Sequence, residues 1–175
     1  MTHLLNAAVA LSCATLSGSA FAQCQKNHET LFACKARSGE RIALCASPGF
    51  LITDSQGTTR IAKGSVLQFR ASFNSQTVTL PTRPRNSPKA FLADRGSSKA
   101  ATSWWSNLSI VEGSQAIALE VGISDTQQPQ IEFIIEDKRN GFSGRYECTD
   151  LAPEATATLP GVPDTYFRVV SALAE

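Results

Sequence analysis

The sequence predicts an all-β protein, an antiparallel sandwich or barrel of about eight or nine strands with one short C-terminal helix. Three observations lead there. Beyond Ala22 the chain breaks into short stretches rich in β-branched and aromatic residues, separated by Gly, Pro, Asn and Ser clusters. Several stretches alternate apolar with polar residues, as a sheet with one buried and one wet face requires. The last segment switches to a helical period, with Tyr166, Val169, Val170 and Leu173 at i, i+3, i+4, i+7 spacing.

Taken in order, the expected strands are Thr30 to Ala36, Arg41 to Ala46, Gly49 to Thr53, Val66 to Ser72, Thr77 to Leu80, Ser106 to Val111, Ala116 to Ile123, Ile131 to Glu136 and Arg145 to Thr149. In the fourth, Leu67 and Phe69 face one way and Gln68 and Arg70 the other. In the seventh, Ile117, Leu119, Val121 and Ile123 oppose Ala118, Glu120 and Gly122, and Ile131 to Glu136 is the expected partner across the loop from Ser124 to Gln130. The stretch Pro81 to Ser98, rich in proline and arginine, reads as a long surface loop. Asp164 is a natural N-cap for the terminal helix, whose apolar stripe is expected to cover an open end of the sheet.

Residues 1–22 read as a secretory signal peptide. Leu4 to Phe21 is almost uncharged, and Ala20-Phe21-Ala22 fits the small-x-small cleavage rule. An alternative treats Ala10-Leu11-Ser12-Cys13 as a lipoprotein cleavage site with Cys13 lipidated. On the first reading, residues 23–175 form a single domain in an oxidising compartment, periplasmic or secreted, and Cys24, Cys34, Cys45 and Cys148 form two structural disulfides. The hairpin around Ser38-Gly39-Glu40 admits three registers. A turn on Gly39-Glu40 sets Cys34 opposite Cys45, a turn on Ser38-Gly39 sets Cys34 opposite Ala43, and a three-residue loop, Ser38 to Glu40, puts Ile42 and Leu44 on the face of Phe32 and Cys34 while pointing Cys45 away. The last satisfies burial best, so a Cys34–Cys45 bond is not expected.

The 16 basic and 15 acidic side chains nearly cancel, so no nucleic-acid partner is expected. No stretch beyond the leader approaches the length of a membrane span. His28 is the sole histidine after Ala22, too little for a Ser-His-Asp triad or a zinc site, and it reads as a surface residue. No cofactor and no metal are expected. Carboxylates remain for acid–base work: Glu132, Glu136 and Asp137 on one hairpin, with Glu112 and Glu120 near in sequence. Because Glu132 and Glu136 share strand parity, a solvated face accounts for them more simply. Trp104 and Trp105 must point to opposite faces, one anchoring the core and the other packing under the Pro81 to Ser98 loop or remaining on the surface as a binding-site hint. Asn107-Leu108-Ser109 matches an N-glycosylation acceptor.

The pattern Leu31-Phe32-Ala33-Cys34, then Gly39-Glu40-Arg41-Ile42-Ala43-Leu44-Cys45, resembles a group of small exported proteobacterial proteins that read F-x-C, G-K, L-C. The likeness extends through Leu67-Gln68-Phe69-Arg70 and Val78-Thr79-Leu80-Pro81 to Cys148. Glu40 stands where that group has Lys, and the segment Gly57 to Gly64 is longer. The resemblance implies a periplasmic address and a β-rich fold, without an activity. Ser143-Gly144-Arg145-Tyr146 is similar to the S-G-x-Y loop of periplasmic lysozyme inhibitors. That likeness implies Ser143 and Tyr146 as contacts to a lysozyme cleft and Arg145 as a cation for its carboxylates. The expectation is therefore an exported, monomeric, non-catalytic binding module with an envelope or cell-wall partner. The alternatives are a lysozyme-inhibitor-like protein acting through the 140–146 loop and a small carboxylate-dependent hydrolase.

Overall fold

A computed structural model describes residues 24–84, 87–97, 103–123, 129–151 and 164–174. The leader, its cleavage site and Cys13 lie outside the described residues, as does the side chain of Asp164. Alternation along the strands decides the architecture. Strands β1 (Glu29–Ala36), β2 (Arg41–Ala46), β5 (Leu67–Phe73), β6 (Gln76–Leu80), β7 (Phe91–Ser97), β8 (Trp104–Glu112), β9 (Gln115–Ile123), β10 (Pro129–Asp137) and β11 (Phe142–Leu151) form one antiparallel sheet in the order β6-β5-β2-β1-β11-β10-β9-β8-β7. A small hairpin, β3 (Leu51–Thr53) and β4 (Thr59–Ile61), is inserted between β2 and β5. The C-terminal helix α1 spans Asp164–Ala174.

The sheet curls around its apolar face. β7 to β11 run as a meander of neighbours, and β11 then passes from β10, which it pairs through Phe142–Glu147, to β1, which it pairs through Cys148–Leu151. A bulge between Lys35 and Ala36 accompanies this transfer, as expected where a strand bends between two partners. The two sheet edges approach without pairing. Phe69 on β5 packs against Phe91 on β7, with ring centroids 5.4 Å apart. The crossover from β6 to β7 is pinned on both sides. Thr82 donates its backbone N–H and its hydroxyl to Glu112, and Leu67 N–H donates to Ser87 Oγ in a 3₁₀ turn at Ser87–Ala90.

Inside the curl lie Phe32, Leu44, Phe69, Leu108, Leu119 and Phe133, all essentially solvent-free. Helix α1 lays Tyr166, Val169 and Val170 over this face and contacts β1, β4, β7 and β8. Tyr166 is buried near Phe32, Ser106 and the Leu119 carbonyl, and burial pushes its hydroxyl well above the usual range. The apolar stripe thus covers an open side of the sheet as its spacing requires.

Three local expectations need correction. Pro81 to Ser98 is not one long loop, because Phe91–Ser97 is edge strand β7. It is hard to read because its face toward the core holds only Phe91 and Ala93 before the charged tip. The β1–β2 hairpin takes none of the three expected registers. Cys34 pairs with Ile42 and Lys35 with Arg41, and the Ala36 N–H donates to the Glu40 carbonyl, so the connecting residues are Arg37, Ser38 and Gly39. Gly39 has φ +107°, a conformation that a side chain would strain. Face parity nevertheless matches the third expectation. Cys34 points inward and Cys45 outward, and the bonds are Cys24–Cys45 and Cys34–Cys148. Lastly, β11 begins at Phe142 rather than Arg145, leaving Lys138 to Gly141 as the turn.

Candidate functional site

The outer face of the meander carries side chains in cross-strand rows, and two adjacent rows stand out. In the first, Trp105 on β8 faces Gly122 on β9, which faces Gln130 on β10. In the second, Asn107, Glu120 and Glu132 occupy the same three strands. On the other side of Trp105 its cross-strand neighbour is Gly96 of β7. Trp105 therefore stands between two residues without side chains.

This placement explains its exposure. The indole packs directly on Gly96, where an added Cβ would come within 2.7 Å of ring atoms, and it remains 48% exposed. Gly122 supplies a bare floor beyond it. There an added Cβ would meet only the Trp104 carbonyl at 3.3 Å and the start of Trp105. A glycine inside a strand commonly marks a close approach of ligand or backbone. Here it floors a groove of about 340 Å³ lined by Trp105, Asn107, Glu120, Gly122, Gln130 and Glu132. A second cleft of about 470 Å³ lies against Gly96 and Trp104 and reaches Phe167 and Ser171 of α1.

Arg145 on β11 organises the polar row. One of its guanidinium nitrogens donates to Glu120 at 2.7 Å and to Glu132 at 2.5 Å. Both carboxylates use Oε2 for this contact. The hydrogen bond to Glu132, then that to Glu120, raise the guanidinium pKa further. Next to them Asn107 Oδ1 is shielded from solvent and has no hydrogen-bond partner among the described residues. Shielded polar atoms are ordinarily satisfied, and this oxygen is not, although the residue lines the groove.

The residues singled out from the sequence divide between the two faces. Ser143 and Arg145 are exposed on the outer face of β11. Tyr146 points the other way, stacks on Phe133 at 5.1 Å and covers Gly144. Burial, then the charge of Glu40, raises its phenol. The 140–146 segment is thus mostly strand, and its turn is braced. Asp137 accepts from Gln115, from the Arg139 N–H and from Asn140. These bonds, that from Gln115 foremost, lower its pKa despite burial.

Among the acids considered for catalysis, Asp137 is committed to this turn, Glu132 is held by Arg145, and Glu136 lies two rows away from Glu132, opposite Ser143. These three do not converge; Glu120 does lie directly across from Glu132, and both are tied to one Arg145 nitrogen, while Glu112 accepts from Thr82. His28 is half-buried in the turn before β1. Among the described residues no group of three His, Cys, Asp or Glu side chains is arranged to hold a metal ion.

Trp104 is the inward indole, packed edge-on against Phe167 at 5.2 Å. Trp105 does not lie under the Pro81 to Ser98 segment, because β7 runs beside it in the sheet. Sequence reasoning missed the groove itself. The available signal was Gly122 near the end of an alternating strand, at the register of an exposed Trp. Comparison with known proteins returned no match to any family model, any curated protein or any solved structure, so this geometry alone carries the functional argument.

Proposed function

We propose that this chain is a non-catalytic binding module that engages its ligand on the outer face of the sheet, at the groove between Trp105 and Gln130. The observation that carries the reading is the glycine-floored groove with an exposed indole wall and a polar row alongside. Sites of this kind combine apolar contact with a few placed polar groups. The strands that hold it are paired on both sides, so the site is preorganised and loses little entropy on binding. The two disulfides point to an oxidising compartment, and no described helix is long and apolar enough to cross a membrane. With the leader, these features support export and an envelope partner.

Titration of purified glycan, protein and lipid fractions of the cell envelope, read by tryptophan fluorescence, tests the reading. One fraction should give a saturable change that is lost in Gly122→Val, and calorimetry should show the same loss for Trp105→Ala, where the reporting indole is gone, with both melting temperatures near the parent's. Binding unaffected by both variants, or no binding to any fraction, overturns it.

A second reading, inhibition of a lysozyme-like cleft, is favoured by the shared exposure of Ser143 and Arg145 on β11. It would use these two residues, since Tyr146 faces the core. Micromolar inhibition of a lysozyme that is abolished by Ser143→Ala with Arg145→Ala supports it, and absence of inhibition removes it.

A further inference from the structure

Resting on the binding-module reading, we infer that the groove takes a neutral, β-linked pyranose chain, laid across the strands β8, β9 and β10. The argument starts from what the lining offers. Along one side run the Asn107 amide, which lines the groove, and the carboxylates of Glu120 and Glu132, each tied to Arg145 through a single oxygen. On the other side stand the Trp105 indole and the Gln130 amide, with Gly122 between them. The preferred ligand therefore carries several hydroxyl or amide donors on one edge and a C–H face that can lie against an indole. A pyranose ring has both.

Spacing and charge narrow the class. Adjacent strands lie about 4.8 Å apart, close to the length of one pyranose unit in an extended chain, so Asn107, Glu120 and Glu132 meet successive units at one register. Two carboxylates line the groove, tied to one guanidinium, and Asp94 and Glu147 stand at the two ends of the same row, which disfavours phosphates and other anions. A cation would be drawn to the indole and the carboxylates. However, Arg145 already occupies the position between Glu120 and Glu132 and would repel it. A neutral donor-rich ligand leaves that ion-pair network in place.

Calorimetric titration of the whole chain with neutral β-1,4-linked tetramers of glucose and of N-acetylglucosamine, and with tetralysine, tests the inference. One glycan should bind saturably, with affinity little changed by added salt. Gly122→Val, which fills the floor, and Trp105→Ala should each weaken it by about tenfold or more. Leu92→Ala, an exposed change on the same face away from the groove, should leave it unaltered. If Gly122→Val fails to fold, Asn107→Ala and Gln130→Ala serve in its place. Glycan binding that survives the groove variants unchanged overturns the inference. Binding of tetralysine in place of both glycans also overturns it, while leaving the binding-module reading standing. If neither the probes nor any envelope fraction binds, both fall together.

Discussion

Trp104 and Trp105 are adjacent in sequence and opposite in fate, and the contrast extends over the whole meander. On its inner face Leu108, Leu119 and Phe133 form a solvent-free row; one residue earlier on β8 and β10, and one residue later on the antiparallel β9, Asn107, Glu132 and Glu120 form a polar row. The backbone is the same, and only side-chain parity differs. The inner face derives its value from excluded water and has no tolerance for lost volume. The outer face keeps an exposed indole, a shielded amide and an ion-pair network that stability alone does not require. Folding and recognition are thus written on alternate residues of the same strands.

The largest test of this division is Phe133→Ala, which empties a site with no solvent exposure and should destabilise the protein by about 3–5 kcal/mol in chemical denaturation. A cost near that of an outer-face change would break the comparison. Next comes the pair of disulfides. Cys34–Cys148 closes a sequence separation of 114 and Cys24–Cys45 one of 21. Replacing both cysteines of the longer link by serine should cost about 1–2 kcal/mol more than the same change at the shorter one, if constraint of the unfolded chain dominates. Equal costs would point to local packing instead.

Within β11 the two faces can be compared directly. Tyr146→Ala should cost about 2 kcal/mol through its lost stacking on Phe133, while Ser143→Ala should stay within about 0.5 kcal/mol. The reverse ranking would place Tyr146 in a binding surface rather than the core. Smaller than the Tyr146 effect is that of Arg145→Ala. Its ion pairs are half-exposed, so solvent screening holds the loss to less than about 1 kcal/mol, and the loss should shrink as salt is added.

Asp137 sharpens the comparison through pH. Its carboxyl is held below the usual 3.8 by the Gln115 side chain and the turn amides. A lowered folded pKa gives stability that is fully present above 3.8 and lost as pH falls through the folded value. Melting temperature should therefore drop more steeply with acid in the parent than in Asp137→Asn. Parallel acid profiles would show that the turn does not depend on this charge.

Much of this architecture is legible in the chain. The alternation from Ile117 to Ile123 names both faces of β9, and the spacing of Tyr166, Val169 and Val170 names the buried side of the helix. What escaped is instructive. β7 lacks a long apolar pattern because its outer side is Leu92, Asp94 and Gly96. The start of β11 looks like turn because Gly141 and Gly144 bracket it, yet Gly144 is strand, covered by the ring of Tyr146. The candidate site escaped for a different reason. Glu120, Gly122 and Gln130 are ordinary outward residues without a motif, and the one motif at Asn107, a glycosylation acceptor, does not point to a groove.

The sequence by itself determined the all-β class, the terminal helix and the two faces of the cleanly alternating strands β5 and β9. Those properties follow from local periodicity, since parity is set by the pleat and burial by the apolar set. Only the tertiary structure decided which strands are neighbours and in what register. Register sets Trp105 between Gly96 and Gly122, aligns Asn107, Glu120 and Glu132 into one row, and brings Arg145 across from a third hairpin strand. Such alignments depend on distant segments pairing at one offset, and a shift of two residues would preserve every face while dispersing the groove.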